Sequence, residues 1–257
     1  MRLFGRAARV SDAVTPAAAA DPVCGSIART HVGRVRQINE DRLLDRPERG
    51  IWAIADGMGG HRGGDVAAEI VIGALAAIAD AEAPITSAGI QSALHRANRD
   101  IRGHALAAGG VIGSTVIVLH VSGGRACLSW VGDSRGYRLR AGRLSQLTRD
   151  HTLVQELLDA GAITPEAAAV HPQANVVTRA LGVDPELVVE TRGFSIVPGE
   201  LILLCSDGLS RSLEVDAVER EGEADEALAD RLLLEALHRD GSDNISLVIV
   251  RMPKTRN

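Results

Sequence analysis

The chain has 257 residues, 46% of them hydrophobic, enough to bury a large core and to exclude wholesale disorder. Its 28 Lys and Arg against 33 Asp and Glu give a formal charge of −5, with no basic stripe or run of like charges, which argues against a nucleic-acid backbone as partner. Aromatic residues at 2% leave no stacking platform for single strands.

The first 22 residues hold Arg2, Arg6, Arg9 and the Ala17 to Ala20 run but no continuous apolar stretch of signal-peptide length, and read as a tail. Residues 23–252 contain no Pro/Ser-rich linker, low-complexity block or repeat and read as one domain, followed by a short tail over 253–257. Ile51-Trp52-Ala53-Ile54-Ala55 reads as a buried strand closed by Asp56 and glycines. Val66, Ile70, Ala74, Ala77 and Ile78, then Ile90, Ala93, Leu94, Ala97 and Ile101, recur at helical spacing and predict two long helices. Ser114 to Val121, Arg125 to Val131 and Tyr137 to Arg140 are strand-like and separated by Ser122-Gly123-Gly124 and Ala141-Gly142, predicting an antiparallel meander.

Leu153 to Ala160 predicts a short helix stopped by Gly161, and Thr164-Pro165-Glu166 the capped start of another, the pair forming a lobe inserted between strands. Glu200 to Cys205 and Ile245 to Arg251 are further strands, with a helix from about Ala224 to Arg239 between them. Strands in runs and helices in pairs predict an α+β layered fold rather than βαβ alternation. No apolar stretch reaches the roughly 18 residues of a membrane span. Cys24, Cys127 and Cys205 are scattered and odd in number, and read as free thiols.

The aspartates fall at strand ends. Asp56 closes one strand, Asp133 follows Leu128-Ser129-Trp130-Val131-Gly132, Asp207 follows Leu201 to Ser206, and Asp243 precedes the last strand. Glycines adjoin or lie near all four, so the carboxylates can converge on one point. Like charges gathered in low dielectric raise one another's pKa unless a cation compensates them. An oxygen-only ligand set without His or Cys spacing favours Mg²⁺ or Mn²⁺ over Zn²⁺. Two such ions about 3.5–4 Å apart activate a shared water and clamp a phosphate in line.

Arg36-Gln37-Ile38-Asn39-Glu40-Asp41, Asp56-Gly57-Met58-Gly59-Gly60-His61, Gly113-Ser114-Thr115, Gly132-Asp133-Ser134-Arg135, Cys205-Ser206-Asp207-Gly208-Leu209 and Asp243-Asn244-Ile245 occur in that order. Together they resemble the PPM (PP2C-type) family of metal-dependent serine/threonine phosphatases, in its bacterial branch. The resemblance implies an αββα sandwich with two central antiparallel sheets and a flap at about Thr148 to Gly182 beside the cleft. It implies that Asp56 bridges two core Mn²⁺ or Mg²⁺ ions, that Asp207 and Asp243 complete the first site, and that the Gly57 carbonyl serves the second. Glu40 and Asp41 would hold metal-bound waters, and Asp133 with Asp207 would bind a third, weaker ion. Arg36 would take the substrate phosphate bidentately, which suits a guanidinium.

The implied reaction is hydrolysis of phosphoserine and phosphothreonine by direct attack of a metal-bridging water or hydroxide. The implied partners are phosphorylated proteins, among them a serine/threonine kinase or its substrates. Neither nucleic acid nor membrane is expected as a partner, and a cytoplasmic monomer is expected. Met58 stands where eukaryotic relatives carry a His proposed as general acid, so leaving-group protonation has no assigned residue, with His61 the nearest histidine in sequence. Three other readings exist, one of them a nucleotide cradle over the glycines from Gly57 to Gly64, which no Walker Lys-Ser/Thr follows. Gly132-Asp133-Ser134-Arg135-Gly136 satisfies the nucleophile-elbow pattern, with Asp207 and His238 following in hydrolase order, but the elbow needs a strand-turn-helix context. A degenerate domain that only binds phosphoproteins would lack metal aspartates, and none is missing.

Overall fold

Long apolar runs in this chain become strands buried on both faces, because each sheet is covered on one side by helices and on the other by its partner sheet. The computed structural model describes residues 24–59, 63–108, 110–140, 143–213 and 223–253. The expected tail over 1–22, His61, the Ala141-Gly142 turn and residues 254–257 lie outside them. The chain opens with β1 (Gly25–His31), β2 (Asp41–Arg46) and β3 (Ile51–Gly59), then α1 (Gly64–Asp80) and α2 (Ser87–Ala108). Next come β4 (Ile112–Ser114), β5 (Val116–Ser122), β6 (Arg125–Val131), β7 (Arg135–Arg140) and β8 (Arg143–Gln146). The stretch before β9 (Glu190–Ser195) carries α3 (Leu153–Asp159) and α4 (Pro165–Ala169). The chain then forms β10 (Leu201–Cys205), α5 (Asp207–Ser210), α6 (Asp225–Arg239) and β11 (Ile245–Arg251).

Among the described residues these strands form two antiparallel sheets, ordered β1-β11-β10-β7-β8 and β2-β3-β5-β6-β9, with β4 attached to β3. Strand alternation assigns each side chain to a layer. Trp52 and Ile54 of β3, Ile117 and Leu119 of β5, and Ile202 and Leu204 of β10 fill the space between the sheets. Their neighbours Ile51, Ala53, Ala55, Val116 and Val118 pack outward against α1 and α2. Leu201, Leu203 and Cys205, with Ile245, Leu247 and Ile249, pack against Leu228, Ala229 and Leu232 of α6 on the opposite side. Three apolar cores between four layers make an αββα sandwich.

The expected meander through Tyr137 to Arg140 is corrected. β5 and β6 form a hairpin, but β7 pairs with β10 in the other sheet. The chain changes sheet at Gly132, whose φ of 105° is a left-handed conformation, and where a Cβ would meet Thr115 Cβ at 2.5 Å. The predicted strand from Ser114 is likewise divided at Thr115, whose N–H donates to the Asp56 carbonyl at 2.8 Å. Asp56 lies inside β3 rather than closing it, because β3 exchanges its pairing partner from β5 to β4 and continues to Gly59. Thr164 caps α4, its hydroxyl accepting the Ala167 N–H at 3.3 Å. None of the three cysteines forms a disulfide; Cys24 and Cys205 are buried and Cys127 is half-buried.

Candidate metal and phosphate site

The site starts from an antiparallel register that puts Asp41 of β2 directly opposite Asp56 of β3. Directly opposed side chains share a face of the sheet, and like charges there are destabilising. Asp41 is only 2% exposed. Ser206 donates to its Oδ2 at 2.9 Å. Its Oδ1 is buried without a hydrogen-bond partner. Beside it, the Glu40 carboxylate accepts backbone N–H groups of Gly64 and Asp65. Those donors open the first turn of α1, where a negative charge is favoured. Gly57 lies so close to that turn that a Cβ would meet the Gly64 carbonyl oxygen at 2.0 Å.

The other carboxylates arrive from the second sheet. Asp207 starts α5 at the end of β10, and Asp243 sits two residues before β11. Gly33, with a φ of 84°, lets the segment carrying Arg36 pack onto the Asp243 backbone, since a Cβ there would meet the Asp243 carbonyl oxygen at 2.1 Å. Arg36 Nε and Nη2 pair with the two Asp243 oxygens at 3.0 and 3.1 Å. Arg211 pairs with Asp207, and its Nη1 lies 3.9 Å from Asp243 Oδ2. A cleft of about 840 Å³ is lined by Arg36, Glu40, Asp56, Gly57, Asp133, Asp207 and Asp243 among others. Asp41 is buried behind this lining, facing Asp56. The described residues do not close three His, Cys, Asp or Glu side chains into a preformed metal cage; guanidinium groups hold Asp207 and Asp243.

Burial sets the electrostatics, and mutual repulsion reinforces it. Desolvation lifts Asp41 to about 7, opposed by hydrogen bonds from Ser246 and Ser206 and assisted by Asp207 and Asp243. Desolvation also lifts Asp133 to about 7, helped by Asp207 and Asp150 and opposed by Arg211. Asp56 is raised well above the usual carboxylate range by burial and then by Asp41, Asp207, Asp133 and Asp243. Asp207 is raised by burial, against Arg211. These carboxylates share one excess of negative charge, and an oxygen-only cluster of that kind suits a hard divalent cation.

A family model described as protein phosphatase 2C matches residues 30–241. This chain belongs to the protein phosphatase 2C family. It is similar to the serine/threonine protein phosphatase PstP of Mycobacterium tuberculosis, 38% identical over 231 residues covering 86% of this chain. The chain spans 44% of that relative's length. It is also similar to the serine/threonine phosphatase stp of Listeria monocytogenes, 34% identical over 89% of this chain and 96% of the relative. A solved structure of the PstP catalytic domain, described as a complex with two manganese ions, matches with a TM-score of 0.81 at 35% identity. That match covers 90% of this chain and 99% of the other.

Within this phosphatase 2C domain, several residues that the sequence reading passed over organise the site. Asn244 is buried, and its side chain ties together the segment that carries Arg36 and Glu40. It accepts the Glu40 N–H at 2.8 Å and donates to the carbonyls of Val32 and Ile38 at 2.8 and 3.0 Å. Arg211, one helical turn after Asp207, was detectable from its i,i+4 spacing. His151 Nδ1 accepts the Gly132 N–H at 3.0 Å while the His151 N–H donates to the Gly132 carbonyl at 3.0 Å. Asp150 takes the Arg135 fork at 2.6 to 3.0 Å. The residues on both sides of Asp133 are therefore fastened to the start of the α3/α4 segment. Only the tertiary fold brings Asn244, His151 and Asp150 to their partners.

The nucleophile-elbow reading fails on its own criterion. Ser134 is followed by a strand rather than a helix, is 1% exposed, and shares a hydrogen bond with Thr115 Oγ1 at 2.9 Å.

Proposed function

We propose that the chain is a metal-dependent protein phosphatase that hydrolyses phosphoserine and phosphothreonine esters. The observation that carries the reading is the facing pair of Asp41 and Asp56, with Asp207, Asp243 and Asp133 gathered in the same cleft region and Arg36 at its rim. The unpartnered Asp41 oxygen and the opposed carboxylates fit Mn²⁺ or Mg²⁺, since a cation offsets a repulsion that the sheet register imposes. In this reading Asp56, Asp207 and Asp243 would hold one core ion, and Asp56 with the Gly57 carbonyl would hold the other. Glu40 and Asp41 would hold metal-bound waters, and Asp133 with Asp207 would take a third, weaker ion.

Bound there, divalent ions supply Lewis acidity toward water and the phosphoryl oxygens. The chain itself supplies position. Arg36 already holds Asp243 with two donors, and the same fork fits two phosphate oxygens. Asn244 fixes the segment from which Arg36 reaches. Met58 lines the cleft but has no proton to give a leaving group. Phosphorylated proteins, including a serine/threonine kinase or its substrates, and a cytoplasmic location belong to the same proposal. No helix among the described residues is long and apolar enough to cross a membrane.

The test is hydrolysis of an aryl phosphate and of a phosphothreonine peptide with Mn²⁺, with Mg²⁺ and with excess EDTA. Turnover is expected with either ion and is expected to vanish with chelator. Undiminished turnover in EDTA would overturn the proposal.

A further inference from the structure

We infer that Arg211 is a built-in competitor of the metal, neutralising Asp207 and Asp243 when no ion is bound and giving way when one binds. The inference rests on the metal-site reading above and adds to it a residue that opposes loading. Arg211 follows α5 and reaches back one turn to Asp207, while its other terminal nitrogen lies 3.9 Å from Asp243. One guanidinium thus spans the two carboxylates assigned to one ion. The Asp207 side chain is 14% exposed, so an uncompensated charge there is poorly solvated, and Arg211 offsets that penalty. An ion and a guanidinium cannot occupy the same carboxylate lone pairs.

Arg211 also has somewhere to withdraw. Its side chain is 31% exposed. It lines both the 840 Å³ cleft and an adjoining cavity of about 520 Å³ under α3 and α4. The two cavities share Asp133, Asn175, Asp207 and Arg211, so the side chain can move from one to the other without crossing the core. Of the carboxylates lining that second cavity, Asp150 is already taken by Arg135. Arg36 differs, because it pairs with Asp243 alone and stands at the rim with its side chain 51% exposed.

The consequence is measurable without turnover. Metal-stripped wild type, Arg211→Gln and Arg211→Lys are titrated with Mn²⁺ by calorimetry, and each is melted with and without Mn²⁺. Partly exposed ion pairs are weak, so Arg211→Gln is expected to bind Mn²⁺ about three- to tenfold more tightly. Its metal-free form should melt lower than wild type, with the gap narrowing when Mn²⁺ is present. Arg211→Lys, which keeps the charge but not the fork that spans two carboxylates, should fall between. Unchanged or weaker Mn²⁺ binding by Arg211→Gln overturns the inference. So does Arg211→Lys matching wild type while Arg211→Gln differs, since net charge alone would then act. Absence of Mn²⁺ binding to the wild type would instead overturn the metal-site reading itself.

Discussion

Replacing Asn244 by alanine removes the acceptor of the Glu40 N–H and the donor to the Val32 and Ile38 carbonyls, three hydrogen bonds of 2.8 to 3.0 Å. The side chain is buried, so water does not readily replace it. At about 0.5–1.5 kcal/mol per net hydrogen bond, the loss comes to about 3 kcal/mol. In a domain of this size 1 kcal/mol moves the melting temperature by about 2–4 °C, so a fall of about 6–12 °C is expected. The freed segment carries Arg36, so the Michaelis constant for an aryl phosphate should rise along with the loss of stability. Scanning calorimetry of the metal-free and Mn²⁺-loaded variant, with initial rates on the same preparation, measures both. Asn244→Asp keeps the acceptor for Glu40 but sets a carboxylate against two carbonyls, and should be no better than alanine. A melting temperature within about 2 °C of wild type with an unchanged Michaelis constant would refute the clamp.

Three further outcomes are expected. Asp41 and Asp133 sit at about 7 when folded, above the roughly 3.9 of an unfolded aspartate, so the folded state binds more protons between those values. Metal-free protein should therefore lose stability as pH rises from about 4 to about 7, relative to Mn²⁺-loaded protein, and melting curves across that range that stay parallel with and without metal would contradict it. Arg36→Ala should raise the Michaelis constant by about ten- to a hundredfold with a smaller effect on turnover, as loss of two charge-assisted contacts implies; steady-state kinetics on a phosphothreonine peptide decides, and a selective fall in turnover would move Arg36 to the transition state. Asp133→Ala should keep the fold and the two tighter ions but reduce phosphopeptide turnover, with extra Mn²⁺ failing to restore it. Normal turnover in a protein that melts several degrees lower would make Asp133 a turn cap instead.

The sequence by itself predicted an α+β layered fold and placed aspartates near strand ends, while the αββα arrangement of the layers was implied by the family resemblance. Short apolar runs such as Leu201 to Cys205 read as strands buried on both faces, and the 3.6-residue recurrence from Val66 to Ile78 reads as a helix packed on one side. The placement of Asp133, Asp207 and Asp243 beside glycine turns was visible because turn chemistry is local in sequence. The tertiary structure decided which strands are neighbours: β6 and β7 are consecutive yet belong to different sheets. It also decided that Asp41 faces Asp56, since register is a relation between two strands and neither strand encodes it alone. The partners of the charged groups were equally out of reach. Arg36 with Asp243, Asn244 with Glu40 and Val32, and His151 with Gly132 join residues distant in sequence, and the burial that strengthens the Asn244 and His151 contacts exists only once both sheets have closed.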